Sequence, residues 1–247
     1  MLFDLHLHLP TRASHVPDPE HAEDCCIISR SARDNSRCLE FAQMAGTACA
    51  VFLGPDPMQR KEALEWIKQR RAVAYDHGVE ASGRFSKNDL EPVLETSCEV
   101  GLPVILHLSR HGKDVLPKRE AWRCLDYVTQ HFPLLKVVVA HLGGENCFET
   151  LRFAERNPNI TLEMSCLRET SRRLDISDPA DVLKIVAGRV SAKQIVFGSD
   201  ALWPAVYDCS DELACARQVF GADDLQAVLL ANAEALLAGI ENQRAFQ

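Results

Sequence analysis

What this chain does not contain narrows it quickly. No run approaches the 18 or more apolar residues of a membrane span, and the first residues, with Asp4, His6 and His8, lack the basic-then-apolar order of a secretory leader. Positive charge is short. The 27 Lys and Arg stand against 35 Asp and Glu, a net charge of −8, which argues against a surface that tracks phosphates and so against nucleic acid as a partner. Aromatic residues make up 6% and favour no substrate class. No low-complexity tract, linker or shift of composition divides the 247 residues, so a single domain over 1–247 is expected. The 10 cysteines include no C-x-x-C pair. They are scattered through apolar runs, as at Cys49, Cys98, Cys124, Cys147 and Cys166, and read as reduced thiols of a cytoplasmic protein, with none beside a plausible base at a strand end. A G-x-G-x-x-G after the first strand is missing, which disfavours an open dinucleotide-binding sheet, and the absence of G-x-S-x-G disfavours a serine hydrolase.

What is present is a regular alternation, in a chain 47% hydrophobic. Short runs rich in Val, Ile and Leu read as buried strands at Leu2–Leu7, Cys25–Ser29, Ala48–Leu53, Ala72–Val79, Val104–Leu108, Lys136–Ala140, Ile160–Met164 and Gln194–Phe197. Amphipathic stretches between them read as helices: Ser36–Ala45, Met58–Arg70, Leu90–Val100, Ala121–His131, Cys147–Asn157 and Pro179–Val190. Two more, near Ser210–Val219 and Asp223–Ala238, follow the last strand. Eight strands, most followed by a helix, predict an α/β fold closed into a (β/α)8 TIM barrel with extra C-terminal helices, a fold that takes roughly 250 residues. Thr11–Glu23 is the longest irregular stretch and is expected to form a loop at the barrel mouth.

The chemistry-bearing residues stand where such a barrel needs them. In Asp4-Leu5-His6-Leu7-His8 the strand period puts His6 and His8 on one face and Leu5 and Leu7 on the other, with the two imidazoles about 6–7 Å apart at Cα, close enough to share a divalent cation. His107 ends Pro103-Val-Ile-Leu-His, His141 ends Val137-Val-Val-Ala-His, and Asp200 ends Ile195-Val-Phe-Gly-Ser-Asp. Barrel enzymes work at these C-terminal strand ends. His8 to His107 is 99 residues, His107 to His141 is 34, and His141 to Asp200 is 59, intervals that fit four, one and two βα units. The set maps onto strands one, five, six and eight.

Taken in order, Asp4-Leu-His-Leu-His, Gly101-Leu-Pro-Val-Ile-Leu-His107, Ala140-His141-Leu-Gly-Gly, Phe197-Gly-Ser-Asp200 and Leu229-Leu-Ala-Asn232-Ala-Glu-Ala-Leu-Leu resemble the amidohydrolase superfamily over nearly the whole chain. The nearest branch is amidohydrolase family 2, with TatD-type hydrolases more distant. The resemblance implies a metal-dependent hydrolase acting on an amide, lactone or ester bond of a small molecule. His6, His8, His107 and Asp200 would hold one divalent metal. Zn²⁺ suits these donors and lowers the pKa of bound water to about 7, and Mn²⁺ accepts the same set. Asp200 would move the proton. His141 would either ligate a second metal or stand free to polarise the substrate or move a proton. Asp4 would support the site or touch substrate. Non-oxidative decarboxylation of a carboxylic acid is the alternative at the same site. A TatD-type nuclease is disfavoured by the acidic balance and by Leu-Gly-Gly after His141.

The chain departs from the family at one point. Where many members carry Gly-Val-Lys it has Gly78-Val79-Glu80, so Glu80 stands in the Lys position and Asp76 near the place of a ligating TatD-type Glu. Either is a candidate to bridge a second metal. In the polar stretch after His107, Arg110 is expected to grip a substrate carboxylate or phosphate with its planar fork, with His111 beside it. Trp203, past Asp200, is a candidate pocket wall, while Arg30 and His77 are weaker site candidates. Glu163 lies on strand seven, and the strand period alone does not choose its face. Homo-oligomerisation is left open.

Overall fold

Runs of β-branched and apolar residues too short for helices pair as parallel strands, because both faces of each are covered. The computed structural model describes residues 2–10, 24–54, 56–77, 79, 82–109, 116–202 and 210–240. Its strands are β1 (Asp4–His8), β2 (Cys25–Ile28), β3 (Ala48–Leu53), β4 (Val73–Asp76), β5 (Val104–Leu106), β6 (Val137–Val139), β7 (Ile160–Glu163), β8 (Ile195–Val196) and β9 (Ala201–Leu202). They form one sheet in the order β8-β7-β6-β5-β4-β3-β2-β1-β9, every pair parallel.

β8 and β9 are two halves of one interrupted strand, and the interruption closes the cylinder. β8 pairs with β7, and Val196 O accepts from Met164 N at 3.0 Å. One residue later Phe197 O accepts from Leu5 N of β1 (3.1 Å), Asp200 N donates to His6 O (2.8 Å), and β9 continues beside Leu7 and His8. The eighth strand of the sequence reading is therefore longer than Gln194–Phe197 and broken in the middle.

Helices cover the outside: α1 (Asn35–Ala45), α2 (Pro57–Lys68), α3 (Lys87–Val100), α4 (Lys118–His131), α5 (Cys147–Ala154), α6 (Leu167–Arg173), α7 (Pro179–Ala187), α8 (Ser210–Val219), α9 (Ala222–Gln226) and α10 (Asn232–Leu237). Local chemistry sets their starts. Asp56 accepts from Met58 N and Gln59 N at the head of α2, and Asp178 from Ala180 N at the head of α7, each followed by proline in the first turn. α6 was not legible in the sequence: in Leu167-Arg-Glu-Thr-Ser-Arg-Arg173 only Leu167, Thr170 and Ser171 are buried, too few apolar positions for a helical stripe.

Two apolar layers result. Leu7, Ile27, Val51, Ala74, Leu106, Val139 and Leu162 pack outward beneath the helices. Leu5, Ile28, Ala50, Tyr75, Ile105, Val138 and Val196 fill the barrel together with Ala233, Leu236 and Ile240, which plug its lower end. Leu5 and Leu7 thus fall in different layers, against the alternation expected for β1, because the strand register shifts between Asp4 and Leu7. Asn232 ties this plug to the barrel by donating to Ala192 O and Ile195 O, each at 2.8 Å. Among the described residues no helix is long and apolar enough to cross a membrane.

Candidate metal centre

The strands deliver their terminal side chains to one end of the barrel. One nitrogen each of His6 and His141 and one oxygen of Asp200 lie within 4.8 Å of one another. Asp200 Oδ1 is 2.9 Å from His8 Nε2 and 3.6 Å from His6 Nε2, and His141 Nε2 is 3.1 Å from His107 Nε2. All four histidines are buried, whereas the Asp200 side chain is 22% exposed, so the cluster opens to solvent at the acid.

The backbone is bent to achieve this. His141, Leu142, Gly143 and Gly144 follow one another at φ 57°, 55°, 85° and 54°, a left-handed run that turns the chain over the mouth directly after β6. A Cβ on Gly144 would lie 2.5 Å from Ser109 Cβ, and one on Gly143 would press on Thr150, which accounts for the paired glycines. Asp200 and Cys166 also sit at positive φ, 58° and 55°. Strained conformations of this kind, held in place by their surroundings, gather at functional sites.

Beneath the cluster sits Glu163, which points into the barrel and is fully buried. It accepts from His6 Nδ1 (3.1 Å), His141 N (3.0 Å), Ser165 N (2.6 Å) and Ser165 Oγ (2.9 Å). Asp4 accepts from His6 N (3.0 Å), Ser199 N (2.9 Å) and Ser199 Oγ (2.5 Å), so it braces the first strand against the last. Burial pushes the Asp4 carboxyl up to about 6 despite these bonds. Tyr75 meets the rings of His6, His77 and His107 edge-on, and His77 stacks on His107 at 4.4 Å.

The electrostatics divide the cluster. Burial lowers the proton affinity of His8 and, reinforced by the neighbouring His107 and His6, carries that of His141 well below the imidazole range. Burial alone would lower His6 too, but the Glu163 hydrogen bond and charge raise it. Burial disfavours the charged form of Asp200, yet the imidazoles around it, His8 foremost, hold its carboxyl well below the usual range. A metal passes a specific test here. His8 Nδ1 lies 2.7 Å from Ile28 O, to which it can only donate, so a neutral His8 aims its Nε2 lone pair at the Asp200 carboxylate. Two acceptors 2.9 Å apart require a cation or a proton between them, and burial disfavours the proton on His8. The donor set, imidazole nitrogens and one carboxylate, fits a divalent transition metal.

The structure therefore brings together His6, His8, His107, His141 and Asp200. It directs Asp76 elsewhere: that carboxylate takes the guanidinium of Arg60 at 3.0 Å, on the helix side of β4. Arg30 is exposed. Glu80, Arg110, His111 and Trp203, with the stretch Thr11–Glu23, lie outside the described residues. Three participants went unread in the sequence. Ser165 and Ser199 are too common a residue type to stand out. Cys166 overturns the expectation that no cysteine meets a base near a strand end, since its thiol donates to Asp200 Oδ2 at 3.0 Å. Burial and the Asp200 charge raise that thiol far above the usual range, which keeps it a hydrogen-bond donor. Glu163, whose face the strand period left open, points into the barrel because its neighbours Leu162 and Met164 pack into the outer layer.

The family model described as Amidohydrolase matches residues 5–238. A dihydroorotase from Stutzerimonas stutzeri is 30% identical over 115 residues, which are 44% of this chain and 33% of that protein, so the chain matches about a third of the length of this curated relative. Among solved structures, an uncharacterised TIM-barrel protein from Bordetella bronchiseptica aligns with a TM-score of 0.72 at 18% identity, covering 97% of this chain and 99% of the other. A dihydroxybenzoic acid decarboxylase from Polaromonas, with bound manganese and 2-nitroresorcinol, aligns with a TM-score of 0.60 at 15% identity, covering 96% and 97%.

Proposed function

We propose that this chain, which belongs to the amidohydrolase family, hydrolyses an amide, lactone or ester bond of a small molecule at a divalent metal held at the barrel mouth. The observation that carries the reading is the convergence of His6, His141 and Asp200, with His8 Nε2 2.9 Å from the Asp200 carboxylate. His6, His141 and Asp200 would hold the metal, with His8 adjoining through Asp200 and His107, also a ligand candidate of the sequence, adjoining through His141. Zn²⁺ is the metal of choice for this set, and Mn²⁺ satisfies the same donors. Bound there, the metal supplies Lewis-acid activation of water and of a carbonyl.

The chain's own residues do the rest. Asp200 is the one ionised group of the cluster open to solvent, so it is placed to take a proton from attacking water and return it to the leaving atom. Cys166 occupies Oδ2, which leaves Oδ1 as the oxygen that faces the imidazoles. Tyr75, His77 and the inner apolar layer close the floor, and entry is from the Asp200 side. The nine free cysteines among the described residues suit a reducing compartment such as the cytoplasm.

Metal analysis of the purified protein, followed by assay of the zinc- and manganese-loaded forms against amides, lactones and esters, tests the proposal. Dihydroorotate belongs in the panel because of the dihydroorotase match. Hydrolysis that disappears on chelation and in Asp200→Asn is the expected result. Silence across the panel from fully loaded protein overturns it, and carbon dioxide release from a carboxylic acid would replace hydrolysis by decarboxylation at the same centre.

A further inference from the structure

The hydrogen bonds below the cluster decide a question left open by its donor set, namely what His141 presents to a substrate. Ser165 is the connecting piece. Its single hydroxyl proton must go to Glu163 Oε2, 2.9 Å away, because a carboxylate can only accept. Ser165 Oγ is then left with lone pairs toward His141 Nδ1 at 2.6 Å, so the ring proton of His141 sits on Nδ1. The same Oε2 takes the Nδ1 proton of His6 at 3.1 Å. One buried carboxylate thereby dictates the orientation and protonation of two imidazoles, one on β1 and one in the turn after β6, directly for His6 and through one hydroxyl for His141. The His141 backbone N–H, also on Oε2 at 3.0 Å, and the Ser165 N–H on Oε1 at 2.6 Å hold the carboxylate itself.

We propose that Glu163 and Ser165 are positioning residues that lock His6 and His141 with their ring protons on Nδ1, so that His141 presents Nε2 to the cluster as an acceptor, facing His107 Nε2. His141 is then a ligand or a proton acceptor. It is not the hydrogen-bond donor that would polarise a substrate carbonyl. In the metal-free protein His107 Nε2 supplies the proton between the two facing rings, 3.1 Å apart. Gly198 belongs to the same device, because a Cβ there would come within 2.7 Å of Glu163 Cδ and 2.8 Å of His6 Cβ. The inference rests on the metal-centre reading for its purpose, although the protonation pattern is measurable without metal.

The test uses full-length protein labelled with ¹⁵N-histidine, in metal-free and zinc-loaded forms, as wild type, Ser165→Ala and Glu163→Gln. Long-range ¹H–¹⁵N spectra report the protonated ring nitrogen of each histidine, and competition titration reports zinc affinity. Wild type is expected to show His6 and His141 protonated at Nδ1 in both forms. Ser165→Ala should release the His141 preference and leave His6 untouched. Glu163→Gln should disturb both, and each variant should bind zinc about 10- to 100-fold more weakly. Should Glu163→Gln fail to fold, Ser165→Ala carries the test alone. Metal-free wild type with His141 protonated at Nε2, or Ser165→Ala with an unaltered His141, overturns the inference. Failure of wild type to bind zinc would instead refute the proposed function and leave the metal-free spectra to decide this point.

Discussion

Gly198→Ala is the smallest change that should reach the centre without removing any of its functional groups. The added Cβ would lie 2.7 Å from Glu163 Cδ, 2.8 Å from His6 Cβ and in closer overlap with Glu163 Oε1, all well inside van der Waals contact. His6 is fixed by strand pairing, so the Glu163 side chain must give way. Overpacking a tight interior costs about 1–3 kcal/mol. Pulling the carboxylate off even one of its four donors adds about 1.5–3 kcal/mol, the worth of a hydrogen bond to a charged group. The expected loss is therefore roughly 3–6 kcal/mol, against a total stability of about 5–15 kcal/mol for an ordinary domain. Urea denaturation of the metal-free protein measures it as a fall in midpoint with the slope unchanged. The Glu163→Ala background provides the control: with the carboxylate gone, the second methyl should cost markedly less, because two of its three nearest contacts, Glu163 Oε1 and Cδ, are gone. A loss under about 1 kcal/mol in the wild-type background, or equal losses in both backgrounds, would refute the packing argument.

Two further outcomes follow from groups away from the centre. Arg173→Ala strips the guanidinium from Glu145, whose carboxylate is nearly buried and also receives Leu116 N–H, so a destabilisation of about 3 kcal/mol is expected in the same denaturation assay. At pH 8 a thiol-alkylating reagent should mark Cys98 and spare Cys25, Cys38 and Cys147 in folded protein. Cys98 is exposed, while burial pushes the other three up to about 12, four pH units above the assay, and so leaves almost no thiolate. Peptide mass mapping reads the result, and modification of those three at the rate of Cys98 would contradict it.

The barrel and the meeting of its distant histidines were legible because one rule connects them. A βα repeat places one strand end per unit at the same rim, so motif intervals translate into neighbours in space. What escaped the sequence depends on local geometry that residue type does not encode. The register shift in β1 separates Leu5 from Leu7, although strict alternation joins them. The left-handed run from His141 to Gly144 aims a histidine that β6 alone could not aim. Asp76 was a candidate ligand because it falls near the place of a ligating TatD-type Glu, but Arg60, one turn into a neighbouring helix, claims it. Glu163 belongs with these: the strand period left its face open, and its role comes from partners 22 and 157 residues away.

The broken eighth strand has a mechanical consequence. The seam that shuts the cylinder and the acid of the cluster occupy the same few residues, since Phe197 and Asp200 exchange backbone bonds with β1 on either side of Ser199. Parting β1 from its neighbour there would drag the Asp200 carboxylate away from His8 in the same motion. Breathing at this joint therefore pulls the cluster apart, and any molecule that reaches it has to pass over the rim, leaving the wall intact.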